Sequence, residues 1–219
     1  MPKMFTPPTN PKIYHITHLR NLPAMAKTGA IYSDAKRIKL GLACEIVGMS
    51  KIKLRRLTQI DVDCHSGTKV GEYTPFYFCP RSIMLFLLHK GNHPDLDYKE
   101  GQEPIVHLQA DLRKTIEWAN ANDVPWAVSD GNAGSFGANY YTGPEALAQI
   151  NWSAVANDRW SEPAVKEGKQ AEFLMWNEFP WDLVEKIGVL NASALTKASA
   201  ALRGATHFPP VAIHNAWYY

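Results

Sequence analysis

Cysteine is scarce in this chain of 219 residues. Its three cysteines, Cys44, Cys64 and Cys79, are odd in number and do not have the close spacing of a metal site. This pattern favours reduced thiols over a disulfide framework, and reduced thiols are typical of the cytoplasm. We therefore expect a cytoplasmic protein in which the three cysteines are packing residues.

Long apolar runs and a strong excess of charge of one sign are also missing. The longest apolar run, residues 83–88, is far shorter than the roughly 20 residues that span a bilayer, so no membrane partner is expected. The proline-rich segment 1–12 lacks the apolar core of a signal peptide and is expected to be extended. A formal net charge of +2 excludes a strongly cationic protein that coats nucleic acid, so any nucleic-acid site must be local.

Several common functional motifs are absent as well. No Gly-x-Gly-x-x-Gly follows a predicted strand, and there is no phosphate-loop lysine motif, which leaves a doubly wound dinucleotide fold unsupported. The eight histidines form no His-Glu-x-x-His helix, so no metal is expected. The sequence also lacks the Gly-x-Ser-x-Gly elbow of many hydrolases.

What is present is a succession of short strands without regular βαβ alternation. Strands are predicted at residues 13–17, 74–79, 103–108, 124–129, 171–176, 187–190 and 211–213. Helices are predicted at 22–27, where Asn21 would be the N-cap and Gly29 the stop residue, and at 83–89, 111–120 and 193–203. We expect one α+β domain over residues 1–219, with a central mixed or mostly antiparallel sheet and flanking helices.

The stretch 169–176 contains the most unusual residue. Glu172 lies within an otherwise apolar, strand-like run, and alternation places it on the same face as Leu174 and Trp176. Burying an unpaired carboxylate costs several kcal/mol. Glu172 therefore either points to solvent from a half-exposed strand or has a function.

Other polar residues are also candidates for a site. His15 and Thr17 share one face of the first strand and could be a functional pair or a hydrogen-bonded strand edge. Arg81 lies at a strand-to-helix junction, where it could bind an anion or pair with a surface carboxylate. A basic cluster in the poorly periodic segment 33–73 could contact phosphates or be a solvated surface; its members are Lys51, Lys53, Arg55 and Arg56.

Three motifs together carry a resemblance to a known family. Tyr14-His15-Ile16-Thr17-His18, the run from Thr74 to Ser82 and Gln170-Ala171-Glu172 resemble, in order and spacing, the DarT family of DNA ADP-ribosyltransferase toxins, over nearly the whole chain. The resemblance implies an ADP-ribosyltransferase-like fold and NAD as the ADP-ribose donor. Single-stranded DNA would be the acceptor and DarG, a macrodomain antitoxin, the partner.

The resemblance also implies roles for individual residues. His15, Ile16 and Thr17 would hold the nicotinamide and its ribose, and Tyr32 would stack on the nicotinamide. Glu172 would be catalytic, bonded to the ribose 2′-hydroxyl. Arg81 would be catalytic beside the acceptor base or would clamp a donor phosphate, and since a guanidinium is a poor base near pH 7, charge stabilisation is chemically easier for it than proton abstraction.

The segment from Asp130 to Gly168 corresponds to the substrate-recognition loop of the family. Candidates for binding DNA there are Tyr140, Tyr141, Trp152 and Arg159, because an unstacked base needs an aromatic platform. Thymidine in a preferred sequence context is the expected acceptor. Guanosine, RNA or a protein as acceptor, or a noncatalytic nucleic-acid-binding module, remain alternatives.

Overall fold

The computed structural model describes residues 4–158, 160 and 162–219. Its main feature, within those residues, is an eight-stranded sheet in the order β10-β9-β4-β1-β3-β7-β5-β6, with a separate two-stranded pair of β2 and β8. The strands are β1 (Lys12–His18), β2 (Ala30–Tyr32), β3 (Tyr73–Tyr77), β4 (Ile105–Asp111), β5 (Trp126–Asn132), β6 (Tyr140–Tyr141), β7 (Ala171–Trp176), β8 (Glu178–Pro180), β9 (Val184–Val189) and β10 (Val211–Ile213). Only β10 and β9 pair in parallel, so the sheet is mixed.

Helices lie between these strands and cover the sheet. They are α1 (Leu22–Thr28), α2 (Asp34–Lys39), α3 (Ser50–Thr58), α4 (Ile83–Lys90), α5 (Leu112–Ala121), α6 (Trp152–Ala156), α7 (Pro163–Gly168) and α8 (Ala192–Ala201). The predicted α+β architecture with a mixed sheet and flanking helices is confirmed. Within the described residues, no helix is long and apolar enough to cross a membrane.

Local sequence signals explain several boundaries. Ser82 accepts a hydrogen bond from the backbone N–H of Leu85 and starts α4, and Gly29 ends α1 with a φ of 71°. Asn21 occupies the N-cap position of α1 as predicted, but its side chain makes no cap hydrogen bond. Instead the Asn21 amide donates to Thr17 Oγ1 at 3.0 Å, which ties α1 to the end of β1.

Most of the predicted strands have different limits in the structure, and β3 and β9 show the reason. β3 ends at Tyr77, before the segment through Cys79 that the aromatic run suggested, and β9 begins at Val184 instead of Ile187. Both differences reflect pairing: β3 follows β7 only as far as Tyr77 opposite Glu172, and β9 continues along β4 through a register shift near Ala110. The pairing partner, more than local composition, sets these ends.

Candidate active site

The site forms where three neighbouring strands of the sheet carry polar side chains. β1 pairs with β3, and β3 pairs with β7, so that Tyr14 lies opposite Tyr77 and Tyr77 lies opposite Glu172. His15 and Glu172 consequently line the same cavity, although 157 positions separate them in the sequence. The sheet therefore brings together parts of all three motifs that the sequence singled out, because Pro75 and Tyr77 of the second motif line the same cavity.

Glu172 is a buried carboxylate whose oxygens are all used. Only 2% of the residue is exposed. Arg56 donates to it through both terminal nitrogens, Nη1 to Oε1 at 3.1 Å and Nη2 to Oε2 at 2.9 Å, and the backbone N–H of Ala133 donates to Oε1 at 3.1 Å. Its own backbone N–H donates to Ser129 Oγ at 3.1 Å. This bidentate pair holds the carboxylate in one orientation as an anion.

The charges around Glu172 affect neighbouring groups. Burial lowers the pKa of Arg56, but the charge and hydrogen bonds of Glu172 outweigh burial, so the pKa of the guanidinium is raised and it stays protonated. Burial, and then the charge of Glu172, raise the pKa of Tyr77, whose phenol stays neutral. Neither Arg56 nor Tyr77 is therefore a base at neutral pH; the arginine is a fixed positive charge.

His15 has a defined tautomer. Its Nδ1 lies 2.9 Å from the carbonyl oxygen of Pro75, which only accepts, so Nδ1 carries the proton and Nε2 is left as an acceptor. Burial lowers the pKa of His15, with a further contribution from the charge of Lys53. The imidazole is therefore neutral at pH 7 and offers a hydrogen-bond acceptor.

Two adjoining cavities form a continuous cleft at this point. The larger, of about 530 Å³, and the smaller, of about 210 Å³, share His15, Ile16, Asp34, Val47, Lys53 and Pro75. Thr17 and Tyr32 line the larger cavity, whereas Arg56, Tyr77 and Glu172 line the smaller one. A cleft of this combined size suits a dinucleotide, with its reacting end at the junction.

The wall opposite the sheet comes from α2, α3 and the segment between them. Lys53 donates to both oxygens of Asp34, at 2.9 and 2.7 Å, and Arg37 lies 3.7 Å from the same carboxylate. Burial raises the pKa of Asp34, but Lys53 and the other cations outweigh burial, so the pKa of the carboxyl is lowered. These ion pairs hold α2 against α3 beside the cleft.

The predicted donor-binding residues are brought together. His15 and Ile16 line both cavities, Thr17 is buried, and half-buried Tyr32 lines the larger cavity with Lys36 Nζ 4.9 Å above its ring. Arg81 is different: its guanidinium stacks on the ring of Tyr219 at 4.4 Å, and it is not among the described residues that line either cavity. The geometry does not place Arg81 beside Glu172.

The arginine beside Glu172 is Arg56, which sequence reasoning left unassigned within the basic cluster. The spacing of residues along one face of α3 is the sequence signal that identifies Arg56. Met49, Ile52, Lys53 and Arg56 follow the i, i+3, i+4, i+7 spacing and all line the smaller cavity, whereas Leu54 is exposed. Reading that face of α3 would have separated Arg56 from its exposed neighbour Lys51.

Two of the predicted DNA-contacting residues are buried instead of exposed. Tyr140 donates its hydroxyl to the carbonyl oxygen of Ala133 at 2.7 Å, and Trp152 donates its indole N–H to Leu147 at 2.8 Å. Tyr141 is half-buried and bonds Asp130 at 3.3 Å. Arg159 lies outside the described residues. Tyr140 and Trp152 therefore anchor the segment 130–168 and offer no free ring face.

No metal cluster accompanies the cleft. Over residues 4–158, 160 and 162–219, no group of three or more His, Cys, Asp or Glu side chains could hold a metal ion. Charge at the site is supplied by the Arg56–Glu172 pair and by Lys53 with Asp34.

The fold is the one that the sequence resemblance predicted for an ADP-ribosyltransferase, and Glu172 lies in its cleft. The chain matches the DarT family, described as ssDNA thymidine ADP-ribosyltransferase, over residues 14–219, and it belongs to that family. A DNA ADP-ribosyl transferase of Thermus aquaticus is 34% identical over 209 residues, which is 94% of this chain and 88% of the relative.

Solved structures agree with this membership. Thermus sp. 2.9 DarT in complex with ADP-ribosylated ssDNA superposes with a TM-score of 0.84 at 30% identity, over 99% of this chain and 100% of that one. The same protein in complex with NAD+ gives a TM-score of 0.79 at 30% identity, over 98% and 100%. Thermosipho africanus DarTG in complex with ADP-ribose shares the fold alone, with a TM-score of 0.73 at 17% identity, over 95% of this chain and 51% of that longer one.

Proposed function

We propose that this chain acts as a single domain that transfers ADP-ribose from NAD to a thymidine base of single-stranded DNA and releases nicotinamide. The observation that carries the proposal is Glu172, a carboxylate 2% exposed and fixed by Arg56 in the smaller cavity, which shares His15 with the larger one. Family membership supports NAD-dependent transfer to DNA, and a relative 30% identical was solved both with NAD+ and with ADP-ribosylated ssDNA. As a DarT-family enzyme that consumes NAD and modifies DNA, it acts as a toxin in the cytoplasm.

The donor occupies the larger cavity and ends at the junction. His15 and Thr17 face it from β1, with Ile16 between them, and Tyr32 also lines it. The neutral imidazole of His15 offers Nε2 as an acceptor to a ribose hydroxyl, because Nδ1 is committed to Pro75. Tyr32 presents its ring to the nicotinamide end. These four residues place the donor with its scissile bond beside Glu172.

Glu172 acts on the transition state. As the bond between the anomeric carbon and nicotinamide breaks, positive charge grows on the ribose, and a fixed carboxylate beside the 2′-hydroxyl stabilises that charge. The anion is preorganised by Arg56 and the N–H of Ala133, so little reorganisation accompanies the reaction. A ring nitrogen of the acceptor base then forms the new bond to the anomeric carbon and loses its proton.

The geometry favours Arg56 over Arg81 as the arginine at the acceptor. Arg56 bonds Glu172 and lines the smaller cavity, whereas Arg81 stacks on Tyr219. A guanidinium whose pKa is raised does not remove a proton itself. Arg56 instead stabilises the negative charge on the base as the ring nitrogen loses its proton to solvent, and it orients Glu172.

A panel of acceptors tests the proposed reaction. Protein and labelled NAD are incubated with single-stranded DNA containing or lacking thymidine, with duplex DNA, with RNA and with protein. We expect label only on thymidine-containing single strands. Label on guanosine, RNA or protein identifies one of the alternative acceptors, and NAD binding without transfer to any acceptor overturns the enzymatic proposal.

A macrodomain antitoxin of the DarG type is the proposed partner. Its support is membership of the DarT family together with the shared fold of Thermosipho africanus DarTG, a chain about twice as long of which this chain covers 51%. The partner would remove the modification and bind this chain. Coexpression tests this: a DarG macrodomain should suppress both toxicity and DNA modification, and unchanged toxicity would contradict the pairing.

A further inference from the structure

A third cavity adjoins the smaller one on the side away from the donor. It has a volume of about 450 Å³, and the residues that line it include Arg55, Asp130, Asn132, Lys166, Glu167 and Gln170. Asn132 and Gln170 line both this cavity and the one that contains Glu172, and the Asn132 amide donates to Gln170 Oε1 at 3.3 Å. The amide pair is thus the partition between the reacting site and the third cavity.

An unusually exposed aromatic residue, Phe136, lies on the loop 130–141, which supplies several residues of the third cavity. Phe136 is 73% exposed, more than any other large hydrophobic residue among the described part of the chain. Its ring lies 5.7 Å from the guanidinium carbon of Arg55, which lines the third cavity. The apolar ring gains nothing from water, so its exposure needs another explanation.

The loop around Phe136 is held in place. The N–H of Gly134 donates to Asn132 Oδ1 at 2.8 Å and the N–H of Ser135 to the carbonyl of Asn132 at 2.9 Å. The Tyr140 hydroxyl fixes Ala133 from the other end. The ring is therefore presented outward from an ordered turn, so little backbone ordering is needed when a ligand binds.

The charges around the third cavity fit a phosphate. Within the described ranges, no ion pair joins Arg55 or Lys166 to a carboxylate, and Arg55 Nε is buried without a hydrogen-bond partner. Asp130 is turned into the loop, where Asn139 donates to it through its backbone N–H at 3.1 Å and its side-chain amide at 2.8 Å. Glu167 also lines the cavity, so two cations and two carboxylates line it, and one of these carboxylates, Asp130, is already bonded within the loop.

We propose that the third cavity and Phe136 hold the nucleotide next to the acceptor thymidine, with its base stacked on Phe136 and its phosphate near Arg55 and Lys166. This inference rests on the proposed function, because it assumes a single strand whose thymidine reacts at Glu172. Stacking on a ring face is tolerant of base identity. Phe136 therefore sets the requirement for a neighbouring base, which neither the donor site nor Glu172 explains.

The test compares Phe136→Ala with Phe208→Ala. Phe208 is also exposed, at 60%, but lines none of these cavities. Oligonucleotides with one thymidine are prepared intact and with an abasic residue at each neighbouring position in turn. For the wild type, kcat/KM should fall at one position by about 5- to 150-fold, the effect of losing one stacked base.

Phe136→Ala should show that same loss on the intact strand and then no further loss from the abasic residue, and Phe136→Trp should restore the wild-type pattern. Phe208→Ala should match the wild type throughout, and NAD affinity by calorimetry should be unchanged in all variants. If Phe136→Ala retains the abasic sensitivity of the wild type, the inference is wrong while the proposed function stands. If the wild type modifies no strand at all, both are overturned.

Discussion

The two walls of the cleft are built differently. The sheet wall, formed by β1, β3 and β7, is part of the core: residues 171–175 of β7 are all buried and pair with strands on both sides. The helical wall, formed by α2, α3 and the segment between them, has no buried residue in either helix. The ion pair of Lys53 with Asp34 joins its two helices to each other, and the ion pair of Arg56 with Glu172 attaches it to the sheet.

This difference in packing corresponds to a difference in function between the two walls. Groups whose position must be fixed for the transition state, such as Glu172 and His15, stand on strands that packing and backbone hydrogen bonds hold rigid. Groups that contact incoming ligands lie on elements with few buried contacts. Such elements can move with a small loss of free energy. Arg56 joins the two walls, because it belongs to α3 but bonds β7.

The largest expected effect on transfer comes from removing the negative charge of Glu172 on the sheet wall. Glu172→Gln keeps the shape of the side chain but loses the anion, so transfer should fall by about 10²–10³-fold, the scale for one preorganised electrostatic group. It also leaves Arg56 buried without its counter-charge, at a cost of up to about 3–5 kcal/mol in unfolding free energy. Rates of label transfer and denaturant unfolding measure both.

A double variant separates catalysis from folding at the same position. Glu172→Gln combined with Arg56→Met removes both charges, so the unfolding free energy should recover much of what the single variant loses. Transfer should stay at or below the level of the single variant, because Arg56 also stabilises the acceptor base. Recovery of transfer together with stability would mean that Glu172 matters only for the fold.

The stability of the sheet wall should depend on pH through His107, which lies beside β1 opposite Ile16. Burial lowers the pKa of His107 to about 4. Because this folded-state pKa lies below the unfolded value of about 6.5, the unfolded chain binds the proton first. The His107 contribution to the unfolding free energy is therefore complete above pH 6.5, falls between pH 6.5 and 4, and is constant below.

The expected size of this loss is about 3 kcal/mol across the window. His107→Gln is the matched variant, because its amide can still donate to the carbonyl of Pro80, which His107 Nε2 contacts at 2.9 Å. Denaturant unfolding at a series of pH values gives the unfolding free energy of the wild type and of His107→Gln. The difference between these two free energies should change by about 3 kcal/mol from pH 6.5 to pH 4. A difference that does not vary with pH would contradict the buried neutral imidazole.

The link between the walls is tested by two matched substitutions of arginine. Arg56→Lys keeps the charge but loses the bidentate contact with Glu172, and transfer should fall by about 10- to 100-fold, the scale of one charged hydrogen bond. Arg81→Lys should change transfer less than about threefold, because Arg81 contacts Tyr219 instead of the cleft. The reverse order of effects would place the acceptor-side arginine at Arg81.

The smallest effect is expected outside both walls. Tyr140→Phe removes the hydrogen bond to Ala133 without exposing the ring, which should lower the unfolding free energy by about 1 kcal/mol. If Tyr140 only anchors the loop, kcat/KM for DNA should change little while stability falls. A large loss of DNA affinity at unchanged stability would instead make Tyr140 a direct DNA contact.

Much of the sheet wall could be predicted from sequence, because its signals are local. Alternation identified β1 and β7, Gly29 and Ser82 marked helix ends, and Glu172 stood out as a carboxylate in an apolar run. The helical wall could not be predicted so well. Its key contact joins Arg56 and Glu172 across 116 positions, and no local pattern specifies a pair so distant.

The loop 130–141 shows the same limit. Its composition indicates aromatic residues among glycines, but burial of Tyr140 depends on the carbonyl of Ala133 and on the sheet beneath it. Phe136, from the same stretch, is exposed. Sequence identifies the set of aromatics, and only packing shows which of them is free to stack.

The most direct test of the central role of Glu172 is a fragmentation mass spectrum of a single-stranded oligonucleotide with one thymidine, after incubation with NAD. The expected result is one ADP-ribosyl group on the thymine base with wild-type protein, one nicotinamide released per modified strand, and about 10²–10³-fold slower modification with Glu172→Gln. Modification at another base or on the backbone, or undiminished modification by the variant, would contradict it.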